Sequence, residues 1–283
     1  MPAILVTGGS SYFGQHLVPL ASARHETFYT YYQNDPLQLP NGLQLDIRDP
    51  GAVADLVAAR RPKVIIHTVG SNRSADMANV IIKGTTHITE AAREVGAHLI
   101  HISTDVIFDG QEAPYNEGTP PKPFDAYGRA KAAAEAIVHR HDNHTIIRTS
   151  LIYGLQKMDR GTAWIAQNLR AKKPVTLFSD QRRNPVWVTT LCLACLELAD
   201  LSFRGILNVA GRQKMTRAEF GLRMLDWWQI EERGTLQLGP SDGNRWPADC
   251  TLDLGLARSL LKTPLWGVDE VLQQQANFKV TEG

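Results

Sequence analysis

The sequence predicts an α/β fold in which helices cover both faces of a doubly wound parallel sheet. Short apolar runs alternate with longer helical patterns as far as Gly154, which is typical of parallel strands joined by helical crossovers. The runs are apolar at consecutive positions, as expected for strands that are buried on both faces. A glycine-containing turn follows the first run and precedes the first helical pattern.

The apolar runs and the helical patterns define the predicted elements in chain order. Strands are predicted at residues 4–6, 27–31, 43–45, 64–67, 99–102, 145–148 and 206–209. Helices are predicted at residues 14–22, 51–60, 77–95, 127–138, 191–198, 217–228 and 268–278. Beyond Gly154, proline and glycine interrupt shorter elements, so we predict a main domain and a smaller C-terminal lobe. The main domain is predicted over 1–154 and 188–211, and the lobe over 155–187 and 212–283.

Composition excludes several classes of protein. The 30 Lys and Arg nearly balance the 29 Asp and Glu, which argues against a nucleic-acid binder. Three cysteines are too few for a disulfide framework and fit a reducing compartment. No apolar run is long enough to span a membrane, and the N-terminus lacks the basic region of a signal peptide. We therefore expect a cytoplasmic protein.

The segment ILVTGGSSYFGQHL predicts a phosphate-binding turn. Gly8 and Gly14 occupy the first and last positions of G-x-x-G-x-x-G, and Ser11 occupies the middle one. Small residues let the backbone approach a pyrophosphate, and the helix N-terminus offers unpaired N–H groups. A plain strand-to-helix turn is the alternative, but a position that opens a βαβ series favours a dinucleotide site. Serine would weaken binding if the turn required a positive φ there.

Two further positions concern the adenosine end of a dinucleotide. Asp46 ends the third predicted strand, where it can accept from an adenine amino group or else cap the next helix. Gln33 follows the second strand in the run YYQN, and Asp35 is the nearest acid. Because no acid stands at that strand end to hold a ribose diol, the sequence favours NADP(H) over NAD(H).

A candidate catalytic group follows the fifth predicted strand. Tyr127 and Lys131 are four residues apart in a helical pattern, so they share one face. An ammonium near the phenol would lower the tyrosine pKa, and the tyrosine could then exchange a proton at a reacting oxygen. The hydroxyl of Thr104 could bind the same oxygen. Such a pair is usually an ordinary surface pair, but here it follows a glycine turn and a strand-end Ser-Thr.

These motifs together resemble an extended short-chain dehydrogenase/reductase, and more closely the dTDP-4-dehydrorhamnose reductase (sugar-nucleotide-binding) family. The matching segments cover nearly the whole chain, and the most specific are HISTDVIFDG and FDAYGRAKAAAE. The resemblance implies a Rossmann fold with a substrate-binding lobe. It also implies hydride transfer from NAD(P)H to a nucleotide-linked 4-keto-6-deoxy sugar, with tyrosine as the proton donor.

The resemblance assigns roles to individual residues. Catalysis falls to Thr104, Tyr127 and Lys131. The cofactor-binding residues would be Gly8, Ser10, Ser11, Tyr12, Phe13, Gly14, Gln33, Asp46, Ile47, Thr68, Val69, Gly70, Tyr127 and Lys131. The substrate-binding residues would be Thr104, Asp105, Val106, Arg182 and Arg245. Arg183 is a further candidate for the diphosphate, because guanidinium groups suit bidentate phosphate binding.

Several residues depart from the family pattern and keep two alternatives open. Ile81, Val106 and Leu151 replace the usual asparagine, tyrosine and tryptophan at positions that would line the sugar pocket. One alternative is a non-catalytic dinucleotide-binding subunit, like the regulatory subunit of methionine adenosyltransferase. The other is a sugar-nucleotide epimerase or dehydratase, although dehydratases tend to carry an acidic pair after the threonine. A homodimer is expected.

Two motifs that suggest a metal or redox site receive a structural interpretation. Cys192 and Cys195 lie in a helical apolar pattern without a second pair, so we predict buried core cysteines. His139, His141 and His144 lie in a charged turn and are predicted to be solvated. No metal site is therefore expected.

Overall fold

A computed structural model describes residues 3–70, 75–201, 203–241 and 246–281. In chain order the strands are β1 (Ile4–Thr7), β2 (Thr27–Tyr31), β3 (Gly42–Gln44), β4 (Val64–His67), β5 (His98–Ile102), β6 (His144–Arg148), β7 (Ile152–Tyr153), β8 (Val175–Phe178), β9 (Arg182–Arg183), β10 (Val186–Trp187), β11 (Gly205–Asn208), β12 (Met215–Thr216) and β13 (Leu236–Gly239). The α-helices are α1 (Tyr12–Ser22), α2 (Pro50–Arg60), α3 (Met77–Val95), α4 (Ala126–Val138), α5 (Arg160–Arg170), α6 (Val188–Asp200), α7 (Arg217–Trp227), α8 (Gly255–Leu260) and α9 (Val268–Thr281).

Seven parallel strands form the central sheet in the order β11-β6-β5-β4-β1-β2-β3. All seven predicted strands are present, and β11 returns to pair with β6. The doubly wound α/β fold is confirmed. The chain leaves β1 toward β2 and β3 and then crosses back to β4, so the strand order reverses between β1 and β4. A crevice at the carboxyl ends of the strands is expected at that reversal.

The core lies on both faces of the sheet because consecutive strand residues point to opposite sides. Ile4 and Val6 of β1 are buried with α1 and α6 in one cluster. Leu5, between them, is buried with α2 and α3 in a second cluster. This double burial explains why the strands are apolar at consecutive positions rather than alternating.

The chain beyond Tyr153 forms smaller pieces of sheet with their own helices. Pairing joins β10 to β7, β12 to β9 and β13 to β8. Helices α5 and α7 pack with β8 in a separate apolar cluster. The sequence did not predict α5 or α8, which are short and lie where the pattern is irregular. The division at the stated domain boundaries stays a prediction.

The cysteine interpretation is confirmed, and the histidine one is partly wrong. Cys192 and Cys195 are buried in α6. His141 and His144 are also buried rather than solvated, and His141 Nε2 lies 2.8 Å from the carbonyl oxygen of Ala97. Across the described ranges, no group of three or more His, Cys, Asp or Glu side chains is arranged to hold a metal ion. No helix there is both long and apolar enough to cross a bilayer.

Candidate active site

A cleft of about 680 Å³ opens at the carboxyl ends of the central strands. Its walls come from the ends of β1 to β6 and from the first turns of α1, α4 and α5. The lining residues are Gly8, Ser10, Ser11, Tyr12, Phe13, Thr30, Tyr31, Tyr32, Leu45, Asp46, Ile47, Arg48, Thr68, Val69, Gly70, Val80, Ile102, Ser103, Thr104, Tyr127, Lys131, Thr149, Ser150, Ile152 and Arg160. Thirteen of the predicted site residues therefore share one cavity, at the position that the strand reversal predicts.

The turn after β1 and the start of α1 are too crowded for side chains at Gly8 and Gly14. Gly8 has φ +79°, and a Cβ there would lie 2.8 Å from a Val69 methyl group. A Cβ at Gly14 would lie 2.4 Å from the carbonyl oxygen of Gly8. These contacts hold the start of α1 close against the end of β1. The backbone is thereby left open to a ligand that approaches from the cleft.

Ser11 replaces the middle glycine without strain, because its φ is −66°. Its Oγ caps α1 by accepting from the N–H of Gly14 at 2.9 Å, and it lies 3.2 Å from Oγ1 of Thr68. Within the described part of the chain, the N–H groups of Tyr12 and Phe13 have no hydrogen-bond acceptor. Two free donors at the positive end of an 11-residue helix fit a pyrophosphate.

The end of the cleft near β2 and β3 carries an ion-pair network around Arg48. Its Nη2 donates to Asp46 at 2.7 Å and to the Tyr32 hydroxyl at 3.0 Å, and its Nη1 donates to Asp76 at 2.9 Å. Hydrogen bonds from Arg48 lower the pKa of Asp46. The N-cap of α2 is Asp49, so Asp46 is not the capping acid. Gln33 is exposed and does not line the cleft, which corrects its predicted place.

Thr104 and Tyr127 face the same cavity from the end of β5 and the first turn of α4. Asp125 caps α4 and accepts from the N–H of Gly128 at 2.6 Å, which fixes the start of the helix and so the place of Tyr127. Burial, with smaller contributions from Asp105 and Asp125, raises the pKa of Tyr127 to about 12. The phenol therefore carries its proton at neutral pH.

Lys131 lies one turn further along α4 and is buried at the wall of the cleft. Its Nζ donates to the carbonyl oxygen of Ile102 at 2.6 Å and lies 3.0 Å from Nε2 of His101. Burial lowers the pKa of Lys131 to about 8, and the Glu135 carboxylate partly opposes this. The predicted lowering of the Tyr127 pKa by this ammonium is wrong here, because burial raises that pKa instead.

Three of the predicted substrate residues lie away from the cleft. Asp105 is buried behind it, with Oδ2 accepting from Ser150 at 2.6 Å and lying 3.6 Å from Nε of Arg183. Burial raises the pKa of Asp105, and Arg183 opposes that shift. Val106 does not line the cleft, and Arg182 is exposed on β9. Arg245 lies outside the described residues.

Sequence reasoning missed several lining residues. Ser150 follows β6, and the end of a parallel strand could have been recognised as a site position. Arg48 lies two residues after the predicted Asp46 but was not itself predicted as a site residue. Arg160 opens α5 after the N-cap Asp159. The Asp-x-Gly-Thr stretch around it was the one available sign of a helix start.

The protein family described as RmlD substrate binding domain matches residues 1–251 of this chain. The chain belongs to this family. Its fold neighbours include a hypothetical dTDP-4-dehydrorhamnose reductase from Sulfolobus tokodaii, at 28% identity and a TM-score of 0.81, over 94% of this chain and 97% of that one. A dTDP-4-dehydrorhamnose reductase from Bacillus anthracis in complex with NADP has 22% identity and a TM-score of 0.80, over 96% of each chain, and shows the fold alone.

Two kinds of name occur among the curated relatives. The methionine adenosyltransferase 2 subunit beta of Xenopus tropicalis is 30% identical over 204 residues, which are 66% of this chain and 60% of that protein. This chain therefore matches less than two thirds of that relative. A probable low-salt glycan biosynthesis reductase of Haloferax volcanii is 29% identical over 238 residues, or 78% of each chain. This chain is thus similar both to a protein named as a reductase and to proteins named as an enzyme subunit.

Proposed function

We propose that this RmlD family member reduces the keto group of a nucleotide-linked 4-keto-6-deoxy sugar. The observation that supports this proposal is that Thr104, Tyr127 and Lys131 line the same cleft as the free N–H groups at the start of α1. The family supports a nicotinamide dinucleotide as cofactor, and the crowded glycine turn fits its pyrophosphate. The identity of the sugar and of the nucleotide is part of the proposal.

Each candidate residue has a role that its contacts support. A bound nicotinamide would supply the hydride. Tyr127 would donate its hydroxyl proton to the carbonyl oxygen of the sugar, which its raised pKa allows because the phenol is protonated at neutral pH. The Thr104 hydroxyl, which donates to Oδ1 of Asp105 at 3.3 Å, would turn to donate to the same oxygen instead. Two N–H groups of the Lys131 ammonium donate to Nε2 of His101 and to the carbonyl oxygen of Ile102. The remaining N–H would donate a hydrogen bond to a ribose hydroxyl.

The test is the loss of NADPH or NADH absorbance with a freshly generated dTDP-4-keto-6-deoxy sugar. Tyr127→Phe should lower kcat by about 10²- to 10⁴-fold, the usual value of a general acid, and retain dinucleotide binding. Tyr115→Phe is the matched control, since it removes a buried phenol away from the cleft and keeps the ring stacked on Phe108. Turnover that survives Tyr127→Phe would refute the assignment.

We further propose that NADP(H) is preferred over NAD(H). Arg48 lines the cleft beside Tyr32, with its guanidinium 5.5 Å from the ring centroid. That guanidinium is paired with Asp46 and Asp76 in the structure and would turn toward a 2′-phosphate. Arg48→Met should raise the KM for NADPH about tenfold and leave that for NADH nearly unchanged, as expected for one hydrogen bond to a charged group. An equal change for both dinucleotides would contradict the preference.

A second candidate function is a dinucleotide-binding regulatory subunit, and the similarity to methionine adenosyltransferase 2 subunit beta favours it. Dinucleotide binding without turnover, together with a stable complex with a synthetase, would support this candidate. A sugar-nucleotide epimerase or dehydratase regenerates its cofactor within one cycle. Net consumption of NADPH would therefore exclude that third class.

A further inference from the structure

Two buried histidines lie side by side behind the candidate active site. His67 ends β4 and lies in register with His101, the last residue but one of the neighbouring strand β5, and both side chains are fully buried. Their ring centroids are 5.3 Å apart. His101 is hydrogen-bonded to a residue of the site, because its Nε2 lies 3.0 Å from Nζ of Lys131.

The chemistry of the two groups fixes the direction of this hydrogen bond. An ammonium can only donate, so Nε2 of His101 accepts and the ring proton is on Nδ1. Burial and the Lys131 charge both hold the pKa of His101 well below its usual value. His101 therefore is a neutral acceptor near neutral pH, where Lys131 is charged.

The neighbouring histidine is anchored and does not compete for the lysine. Nδ1 of His67 lies 2.6 Å from Oγ1 of Thr7, and its Nε2 lies 3.3 Å from Oγ1 of Thr85. Burial lowers the pKa of His67 to about 3, so this ring is also neutral. The two uncharged imidazole rings therefore lie side by side behind Lys131.

We propose that His101 is a positioning residue that holds the Lys131 ammonium on the sheet and stabilises its charged form. Together with the Ile102 carbonyl it determines where Nζ lies and at what pH the lysine loses its proton. The consequence for catalysis rests on the proposed function. The hydrogen bond itself does not.

The other charged or titratable groups around Lys131 are few among the described residues. Tyr127 and Glu135 lie on its own helix, and Glu135 is paired with Arg148 of β6 at 2.9 Å. His67 faces it from β4, and Asp105 acts on Tyr127 from beyond β5. Apart from the Ile102 carbonyl, His101 is the only acceptor bonded to Nζ within these residues.

The test measures the pKa of Lys131 directly, by NMR of the lysine side chains in ¹³C,¹⁵N-lysine-labelled protein, with the resonance assigned by its loss in Lys131→Arg. Wild type should titrate near 8. His101→Leu should lower that pKa by about one unit, because the charged form loses an acceptor. His101→Gln should restore it, because its side-chain amide oxygen reaches about as far as Nε2. His101→Asn should not, because its amide reaches only as far as Nδ1.

The outcomes separate positioning from a merely structural role. An unchanged Lys131 pKa in His101→Leu, or failure of His101→Gln to restore it, would overturn the proposal even if the variants were less stable. His101→Phe replaces the leucine variant if that one does not fold. In turnover, the alkaline limb of kcat/KM should shift downward with the Lys131 pKa. A chain without turnover would refute the reductase function and leave the NMR result decisive for His101.

Discussion

The buried ion pair between Glu135 and Arg148 is the polar contact whose loss we expect to cost the most stability. Nη2 of Arg148 lies 2.9 Å from Oε2 of Glu135, and the two side chains are 2% and 5% exposed. Glu135 also accepts from Ser103 at 2.5 Å. Glu135→Gln keeps the size of the side chain and removes the charge, so a buried guanidinium is left without its counterion.

The contacts that remain set the magnitude of the effect. Breaking one partner of a buried pair typically costs about 3–5 kcal/mol. Nη1 of Arg148 still donates to the carbonyl oxygens of Glu117 and Thr119, each at 3.2 Å. These bonds place the expected loss for Glu135→Gln at the lower end, about 3 kcal/mol. Most of this loss of stability is the penalty of one uncompensated buried charge. The double variant Glu135→Gln/Arg148→Met should therefore recover more than half of the lost stability.

Urea unfolding followed by circular dichroism measures both variants against wild type and against Arg148→Met alone, which completes a double-mutant cycle. A shift in midpoint at constant slope gives the change in the free energy of unfolding. A loss below about 1 kcal/mol for Glu135→Gln, or a double variant no more stable than the single one, would refute the argument.

Three further predictions concern the turn and the lysine. Gly14→Ala should abolish measurable dinucleotide binding, because its Cβ would lie 2.4 Å from the Gly8 carbonyl oxygen; wild-type affinity by calorimetry would contradict this. Ser11→Ala should lower the free energy of unfolding by about 1 kcal/mol through loss of the N-cap, whereas Ser11→Gly should cost only a few tenths; equal losses in urea would count against capping. Lys131→Met should be more stable than wild type at pH 7, because the Lys131 pKa of about 8 is below the usual 10.5. That gain in stability is at most about 3 kcal/mol, from which the loss of the Lys131 hydrogen bonds must be subtracted. The gain should shrink between pH 8 and 10.5, because unfolding of the wild type takes up a proton in that range. A stability difference that does not change with pH would refute this prediction.

The strands and the glycine turn could be predicted because local pattern decides them. Runs buried on both faces are apolar at every position, and Gly8 and Gly14 mark a place where the backbone is crowded. The helix over Met77–Val95 was predicted to the residue for the same reason. The fold class therefore followed from the sequence.

Side-chain direction could not be predicted in the same way. Spacing placed Tyr127 and Lys131 on one helix face, but the ammonium is directed by acceptors on β5 that are distant in sequence. On β9 neighbouring side chains point to opposite sides, so Arg183 is buried near Asp105 and Arg182 is exposed. Nothing in the sequence indicated which of the two would point inward.

The cysteines give this chain a built-in reporter of unfolding. All three thiols are buried, and burial raises their pKa values, that of Cys250 to about 12. Because alkylating reagents attack the thiolate, the folded chain should be nearly inert to them. The rate of alkylation then measures how often α6 and the segment around Cys250 open to solvent. A single cysteine introduced on the surface could be labelled selectively in the folded protein.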